Sequence, residues 1–177
     1  MQSIYRNVPG TWLTLVLIVL MSPSALAHLM VAQRGTLNIV NDGAFMVLSL
    51  PISAFAGIDG DNDGKVSMVE FNNHRAAIVE SVGQNVSLSD KEGNLPLKGI
   101  MLSPVVPHDA SEESLSQLIV MGRFSIAAAR GEFRFRSNLF GKQTGEQVLK
   151  ITVTHESDSR EQNFEITPAL PTGVLFR

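Results

Sequence analysis

Four acidic residues with regular spacing in the first half of the chain have the types needed to bind a metal ion. Asp59, Asp61 and Asp63 alternate along a glycine-rich segment, and Glu70 follows shortly after them. Ca²⁺ prefers oxygen ligands and takes about six to eight of them. Aspartates at alternate positions can turn their carboxylates inward while the chain curls around one ion, and a glutamate can close the site with both oxygens. The spacing therefore predicts a Ca²⁺ site.

Three further residues of the same segment suit such a loop. Gly64 stands where the chain must bend sharply and where a side chain would be unfavourable. Lys65 can contribute only its backbone carbonyl, and Ser67 can coordinate directly or through a water molecule. A bidentate Glu70 favours Ca²⁺ over the smaller Mg²⁺. The alternative is a surface turn rich in aspartate, asparagine and glycine that binds no ion.

Residues 53–82 resemble the calmodulin-type EF-hand, because residues 59–70 carry the loop residues of that family at every defining position. The resemblance implies Ca²⁺ coordination by Asp59, Asp61, Asp63, Lys65, Ser67 and Glu70. EF-hands usually work in pairs joined by a short β-bridge at the position of Val66, and the sequence has no second loop. Val66 is therefore expected to bridge either to another chain or to the remainder of its own fold, which would then replace the paired EF-hand.

The segments on either side of the loop predict a short entry and a longer helical exit. Phe55 and Ile58 are the apolar residues of the entry, and Pro51 and Gly57 leave room for only one or two helical turns. After the loop, Ser67 stands where it can cap a helix. Apolar residues recur there at helical spacing. They are Phe71, Ile78, Val79 and Val82.

The rest of the chain predicts β-strands separated by turns. Apolar and polar residues alternate in several segments, and residues 41–43 supply turn chemistry between the first two. The strand candidates are residues 37–39, 44–50, 86–89, 95–103, 117–126, 132–140, 148–155 and 162–167. Residues 104–116 predict a long polar loop. This pattern favours a mainly β fold: an antiparallel β-sandwich, with immunoglobulin-like topology as one option, into which the EF-hand loop and helix are inserted.

The first 27 residues predict a cleavable signal peptide. Arg6 supplies a positive charge, residues 12–21 are apolar, and residues 25–27 form a small-x-small cleavage site. Cleavage after Ala27 would leave a single domain, residues 28–177, in the periplasm or secreted. The chain contains no cysteine, which fits a bacterial periplasm better than a eukaryotic secretory route. No later apolar stretch is long enough to span a bilayer, so no transmembrane segment is expected in the mature chain.

Composition and motifs argue against several classes of function. The net charge is −3, the isoelectric point is about 5.8, and no long basic run is present, so nucleic acid is not an expected partner. The sequence has no nucleophile elbow, phosphate-binding loop, cysteine nucleophile or zinc-protease motif, so we do not expect an enzyme. The expected function is that of an exported Ca²⁺-binding protein.

An alternative function is transition-metal handling. His28 would be the first mature residue, and its amine and imidazole together could chelate Cu²⁺. Ser49, Leu50 and Pro51, together with the acidic loop, resemble the exported amino-terminal domains of HupE/UreJ-type permeases. That resemblance implies a membrane-protein partner, so the alternative is a periplasmic accessory protein in copper or nickel handling. A self-association partner is the other option, through Val66.

The other histidines and the methionines offer weaker metal sites. His74, His108 and His155 show no metal-ligand spacing, and we expect His74 on the helix and His155 at a strand end. The methionines lie in apolar runs, where this residue usually fills the core. They are Met30, Met46, Met68, Met101 and Met121.

Overall fold

The structure is a computed structural model that describes residues 32–107, 114–126 and 132–176. Within these residues it contains ten β-strands, one α-helix and three short 3₁₀ turns. The strands are β1 (Arg34–Val40), β2 (Gly43–Pro51), β3 (Val86–Asp90), β4 (Gly93–Asn94), β5 (Leu97–Val105), β6 (Gln117–Ser125), β7 (Phe133–Ser137), β8 (Leu149–His155), β9 (Arg160–Ile166) and β10 (Thr172–Leu175). The helix α1 is Met68–Asn85, and the 3₁₀ turns are Ile52–Ala54, Thr144–Glu146 and Glu156–Asp158.

The strands form two sheets. The order is β5-β6-β2-β1-β8-β9 in the six-stranded sheet and β10-β7-β3-β4 in the four-stranded sheet. Apolar residues from both sheets meet in one core, so the predicted mainly β, sandwich-like fold is confirmed. One pair departs from the antiparallel arrangement, because β1 and β8 run parallel. These strands are far apart in sequence, and local alternation carries no information about the direction in which distant strands pair.

Alternating side chains place one face of each sheet in the core. In β1, Leu37 and Ile39 are buried, whereas Asn38 between them is exposed. The two sheets also meet where the Phe164 ring of β9 lies against Gly173 of β10. A Cβ at residue 173 would overlap this ring, so the close approach requires glycine.

Two strands in the second half of the chain, β5 and β10, differ from the prediction. β5 continues through Pro104 to Val105, so the predicted loop begins later. β5 is an edge strand of its sheet. An edge strand tolerates proline, because a residue on its open side does not need to donate a hydrogen bond to a neighbouring strand. The sequence did not predict β10, which has only four residues and pairs with β7. So short a segment, with Gly173 inside it, shows no alternation to detect.

A short turn precedes the acidic loop where a helix-loop-helix would have a full helix. The chain forms the 3₁₀ turn Ile52–Ala54 and then adopts a left-handed conformation at Gly57, with φ +74°. Phe55 and Ile58 are buried, as their apolar character predicted. The entry is therefore as short as Pro51 and Gly57 required.

The helix α1 begins with a capping box. The Ser67 Oγ accepts the N–H of Glu70 at 3.2 Å, and Glu70 Oε2 accepts the N–H of Ser67 at 2.8 Å. This confirms the predicted cap. The residues that α1 buries include three of those predicted: Phe71, Ile78 and Val82.

Several expectations concern residues outside the described ranges: the signal peptide of residues 1–27, His28, Met30 and His108. Among the described methionines, Met46 is buried in the core as predicted. The core prediction is wrong for Met101, which is 58% exposed because it points outward from the edge strand β5. None of the described helices combines the length and the apolar character that a membrane crossing requires.

Candidate metal centre

Three carboxylates converge in the acidic loop, residues 59–70, which leads into α1. Oxygen atoms of Asp59, Asp61 and Asp63 all lie within 4.8 Å of one another. Among the described residues, this is the one group of three or more acidic, histidine or cysteine side chains so closely placed. Like charges at this distance repel each other, and a cation between them would reverse the sign of the interaction. The arrangement could therefore hold a metal ion.

Asp59 closes the loop and also presents an unsatisfied oxygen. Its Oδ2 accepts the N–H of Gly64 at 3.0 Å. Its Oδ1 is buried and has no hydrogen-bond partner among the described residues. A buried carboxylate oxygen without a partner is unfavourable, and a cation or a water molecule would satisfy it. The donor set at this end of the loop thus fits a hard cation.

Two consecutive turns orient the other aspartates. The Oδ1 of Asp61 accepts the N–H of Asp63 at 3.2 Å, and the Oδ1 of Asp63 accepts the N–H of Lys65 at 2.7 Å. Asn62 and Gly64 adopt left-handed conformations, with φ +61° and +83°. A Cβ at Gly64 would meet no atom of the described residues within 4 Å, so the left-handed conformation, and not lack of space, favours glycine there. These turns bring alternate side chains to one side of the loop.

Glu70 ties the far end of the loop to its beginning. Its Oε1 accepts the N–H of Gly60 at 2.7 Å, and its Oε2 accepts both the N–H and the hydroxyl of Ser67 at 2.8 Å. These hydrogen bonds, the Ser67 N–H first among them, lower the pKa of Glu70 to about 2. A lowered pKa stabilises the folded chain above the ordinary pKa of glutamate, and this contribution is lost as the pH falls toward about 2.

The structure brings together the carboxylates of three of the six predicted ligands, Asp59, Asp61 and Asp63. The Glu70 carboxylate is not part of this group and is held by backbone donors. The Ser67 hydroxyl is bonded to Glu70, and the Lys65 N–H to Asp63. Backbone N–H groups of Gly60, Asp61 and Ser67 all contribute to the hydrogen bonding of the Glu70 carboxylate.

The loop is bridged to a distant part of the same chain. The carbonyl of Val66 accepts the N–H of Leu115 at 2.8 Å, and Ser67 pairs with Ser114 in an isolated antiparallel bridge. Leu115 is buried in the core, just before β6. Of the two expectations for Val66, the structure thus shows the one in which the chain's own fold supplies the partner. Nothing local marks residues 114–115 for this role, because their pairing is set by the tertiary fold.

Hydrogen exchange at Leu115 tests this link between the loop and the sandwich. If the loop binds Ca²⁺ with a dissociation constant of about 0.1 to 1 mM, 10 mM Ca²⁺ should slow exchange of the Leu115 amide about 10- to 100-fold. The reason is that opening of the bridge would then require release of the ion. The Leu95 amide, which donates to Leu88 at 2.8 Å far from the loop, serves as the control. The comparison uses conditions in which Leu95 exchanges by local opening, because global stabilisation slows every amide that exchanges by global unfolding. Equal slowing at both amides would then contradict a local link.

A serine, a histidine and an aspartate also meet at the end of β8, but not as a catalytic triad. The Nδ1 of His155 lies 2.8 Å from Asp158 Oδ1 and 3.3 Å from Ser157 Oγ. A triad needs the serine and the carboxylate on opposite ring nitrogens, and here both contact the same one. His155 ends its strand as predicted, and Asp158 is also paired with Arg160 at 2.6 Å. The histidine lowers the pKa of Asp158.

Comparisons with known proteins give no family for this chain. No protein-family model matches it, and no curated protein does so significantly. The functional interpretation therefore rests on the residues of the loop and on their geometry.

Proposed function

We propose that this chain is an exported, non-enzymatic Ca²⁺-binding protein with one EF-hand-like site. The observation that carries the proposal is the convergence of Asp59, Asp61 and Asp63 together with the unpartnered, buried Oδ1 of Asp59. Export is supported by the charged, apolar and small-residue segments at the start of the sequence.

The chemistry of the loop favours Ca²⁺ over other metals. All the side chains offered are oxygen donors, which suit hard cations, whereas copper, nickel and zinc prefer imidazole or thiolate ligands. We propose coordination by Asp59, Asp61, Asp63, the Lys65 carbonyl, Ser67 and Glu70. The Glu70 carboxylate, which Gly60 and Ser67 hold through hydrogen bonds, would exchange some of these bonds for the ion and provide two oxygens. Two oxygens from one residue suit a large ion with a high coordination number.

The proposed role of the ion is to order the loop, the start of α1 and the adjoining part of the sandwich. In its absence the clustered carboxylates repel each other, and bound Ca²⁺ would turn this repulsion into attraction. Extracellular modules of this kind bind with dissociation constants of about 0.1 to 1 mM, which suits a structural site filled by ambient Ca²⁺. The intrachain bridge from Val66 to Leu115 supports binding by a single chain.

The alternative role in copper or nickel handling rests on His28, which lies outside the described residues. No observation on the described residues favours it over the Ca²⁺ site. Titration of the same protein with Cu²⁺ tests the alternative.

Calorimetric titration of the metal-stripped protein tests the proposal. We expect one Ca²⁺ per chain, weaker binding of Mg²⁺, and at least about a tenfold loss of Ca²⁺ affinity in the double variant Asp61→Asn/Asp63→Asn. Asparagine keeps the Oδ1 acceptor that each turn needs but removes the ligand charge. Asp90→Asn is the matched control, since Asp90 Oδ1 accepts backbone N–H groups in a turn outside the loop.

Either of two results would refute the proposed site: no Ca²⁺ heat at millimolar concentrations, or equal affinity in the double variant and the wild type. If the protein bound Cu²⁺ tightly and did not bind Ca²⁺, the Ca²⁺ proposal would be wrong and His28 would become the candidate metal ligand. Glu70→Gln should also weaken Ca²⁺ binding, although it additionally disturbs the helix cap. For that reason the aspartate variants are the cleaner test.

A further inference from the structure

A second concave surface lies at the other end of α1 and has a different chemistry. It is a groove of about 630 Å³ on the outer face of the four-stranded sheet, closed on one side by the last residues of the helix. We call it the arginine groove. Its lining is Gly83, Gln84, Asn85, Ser87, Ser89, Asn94, Arg134, Arg136, Asn138 and Thr172. The volume is in the range of small-molecule sites, about 300 to 1,000 Å³.

Strand register builds the floor of the groove. Ser87 of β3, Arg136 of β7 and Thr172 of β10 lie directly opposite one another across three neighbouring strands. Ser89 and Arg134 form the next row. The residues that alternate with them along the same strands are buried in the core, so these polar side chains share the outer face.

The two arginines of the groove, Arg134 and Arg136, have different hydrogen-bond partners. The Nη2 of Arg134 is paired with Glu132 Oε1 at 2.6 Å. The Nε and Nη2 of Arg136 both face Asn138 Oδ1 at 3.4 Å, and no carboxylate pairs with Arg136 among the described residues. No acidic side chain is among the described residues that line the groove. In a chain of net charge −3, this face therefore presents positive charge. Among the described residues, the guanidinium group of Arg136 is held by long hydrogen bonds alone.

Two carbonyls near the C-terminal end of α1 are already hydrogen-bonded: the Asn85 side chain donates to Ser81 O at 2.9 Å, and the N–H of Asn138 donates to Asn85 O at 3.0 Å. The acidic loop lies beyond the opposite end of the helix, about 27 Å away for an 18-residue helix. At physiological salt, charges that far apart are largely screened from each other.

The lining also restricts the class of ligand. The part of the lining that the structure describes contains hydroxyl, amide and guanidinium groups and no aliphatic or aromatic side chain. Peptides are usually held by apolar anchors, and single-stranded nucleic acids by aromatic stacking, neither of which this groove provides. Guanidinium groups recognise carboxylates with two parallel hydrogen bonds, and neighbouring hydroxyl and amide groups can bond sugar hydroxyls.

We propose that the arginine groove binds an acidic carbohydrate, with Arg136 pairing a carboxylate of the sugar. Arg134 contributes less, because Glu132 already neutralises part of its charge. The serine, threonine and amide side chains of the two rows bond the hydroxyl groups of the same ligand. This site is separate from the metal centre and does not depend on the proposed Ca²⁺ function.

An NMR titration with trigalacturonate tests this inference, with a neutral trisaccharide, maltotriose, as the comparison. We expect shifts confined to the groove, weaker binding at high salt, and at least about tenfold weaker binding of the neutral sugar. Arg136→Gln should lower the affinity for trigalacturonate about 10- to 100-fold. Arg136→Lys, which keeps the charge but loses the fork, should fall between the wild type and Arg136→Gln.

Arg34→Gln is the matched control, because it removes the same charge from an exposed strand position in the other sheet. It should leave the affinity unchanged, and all variants should keep the wild-type unfolding midpoint. The proposal is overturned by the absence of shifts at 10 mM trigalacturonate, by equal affinity in Arg136→Gln, or by equal binding of maltotriose. Equal binding of triglutamate would also overturn it, since the groove would then select charge and not sugar.

Discussion

Addition of 10 mM Ca²⁺ to the metal-stripped protein is expected to raise its thermal unfolding midpoint by about 3 to 10 °C. A dissociation constant of about 0.1 to 1 mM makes this concentration about 10 to 100 times the constant, which stabilises the folded state by about 1.4 to 2.7 kcal/mol. For a domain of this size, each kcal/mol moves the midpoint by about 2 to 4 °C. Scanning calorimetry or circular dichroism with and without Ca²⁺ measures the shift.

The double variant Asp61→Asn/Asp63→Asn separates this effect from any other role of the loop. Without Ca²⁺ it should be at least as stable as the wild type, because the turns are kept and the repulsion among the carboxylates is reduced. With Ca²⁺ its midpoint should hardly move. A midpoint that rises equally in the variant and the wild type would show that Ca²⁺ acts elsewhere.

Phe71→Ala is expected to destabilise the fold by about 3 to 5 kcal/mol, the usual cost of removing a buried aromatic ring. Phe71 lies one turn into α1, is 1% exposed, and also packs beneath the Arg75 guanidinium at 5.5 Å from the ring centroid. The variant therefore loses core packing at the point where the helix leaves the acidic loop. Chemical denaturation should show a lower midpoint with a similar slope, since the surface exposed on unfolding changes little.

Val69→Ala provides the control on the same turn of the helix. Val69 is 67% exposed, so its truncation should change stability by no more than about 0.5 kcal/mol. If Phe71→Ala and Val69→Ala had similar effects, α1 would not be anchored to the core through Phe71. The buried face of the helix assigned above would then be wrong.

Local sequence patterns predicted most of the strands and the helix because both have short periods. Leu37 and Ile39 alternate with polar residues, and Phe71, Ile78 and Val82 recur at helical spacing; each set is buried. The same patterns did not predict the parallel pairing between β1 and β8. These strands are more than a hundred residues apart in sequence, so their pairing depends on the packing of the whole fold. The patterns also failed for Met101, whose exposure follows from the edge position of its strand.

The loop illustrates the same division at a single site. The types and spacing of Asp59, Asp61 and Asp63 predicted that their carboxylates would converge, because the turns that bring them together are made within the loop itself. The capping box formed by Ser67 and Glu70 could also be predicted from the sequence, because the two residues are only three positions apart. Hydrogen bonds between residues close in sequence thus determine the geometry of the candidate site.

The sequence by itself determined the acidic loop, the capped helix that follows it and the alternation of the strands, because each depends on residues within a few positions of one another. Only the tertiary structure decided that Leu115 bridges Val66 and that Ser87, Arg136 and Thr172 form one row. Those contacts join segments about 35 to 50 residues apart. Their free energy comes from packing two sheets around one core, which no local pattern encodes.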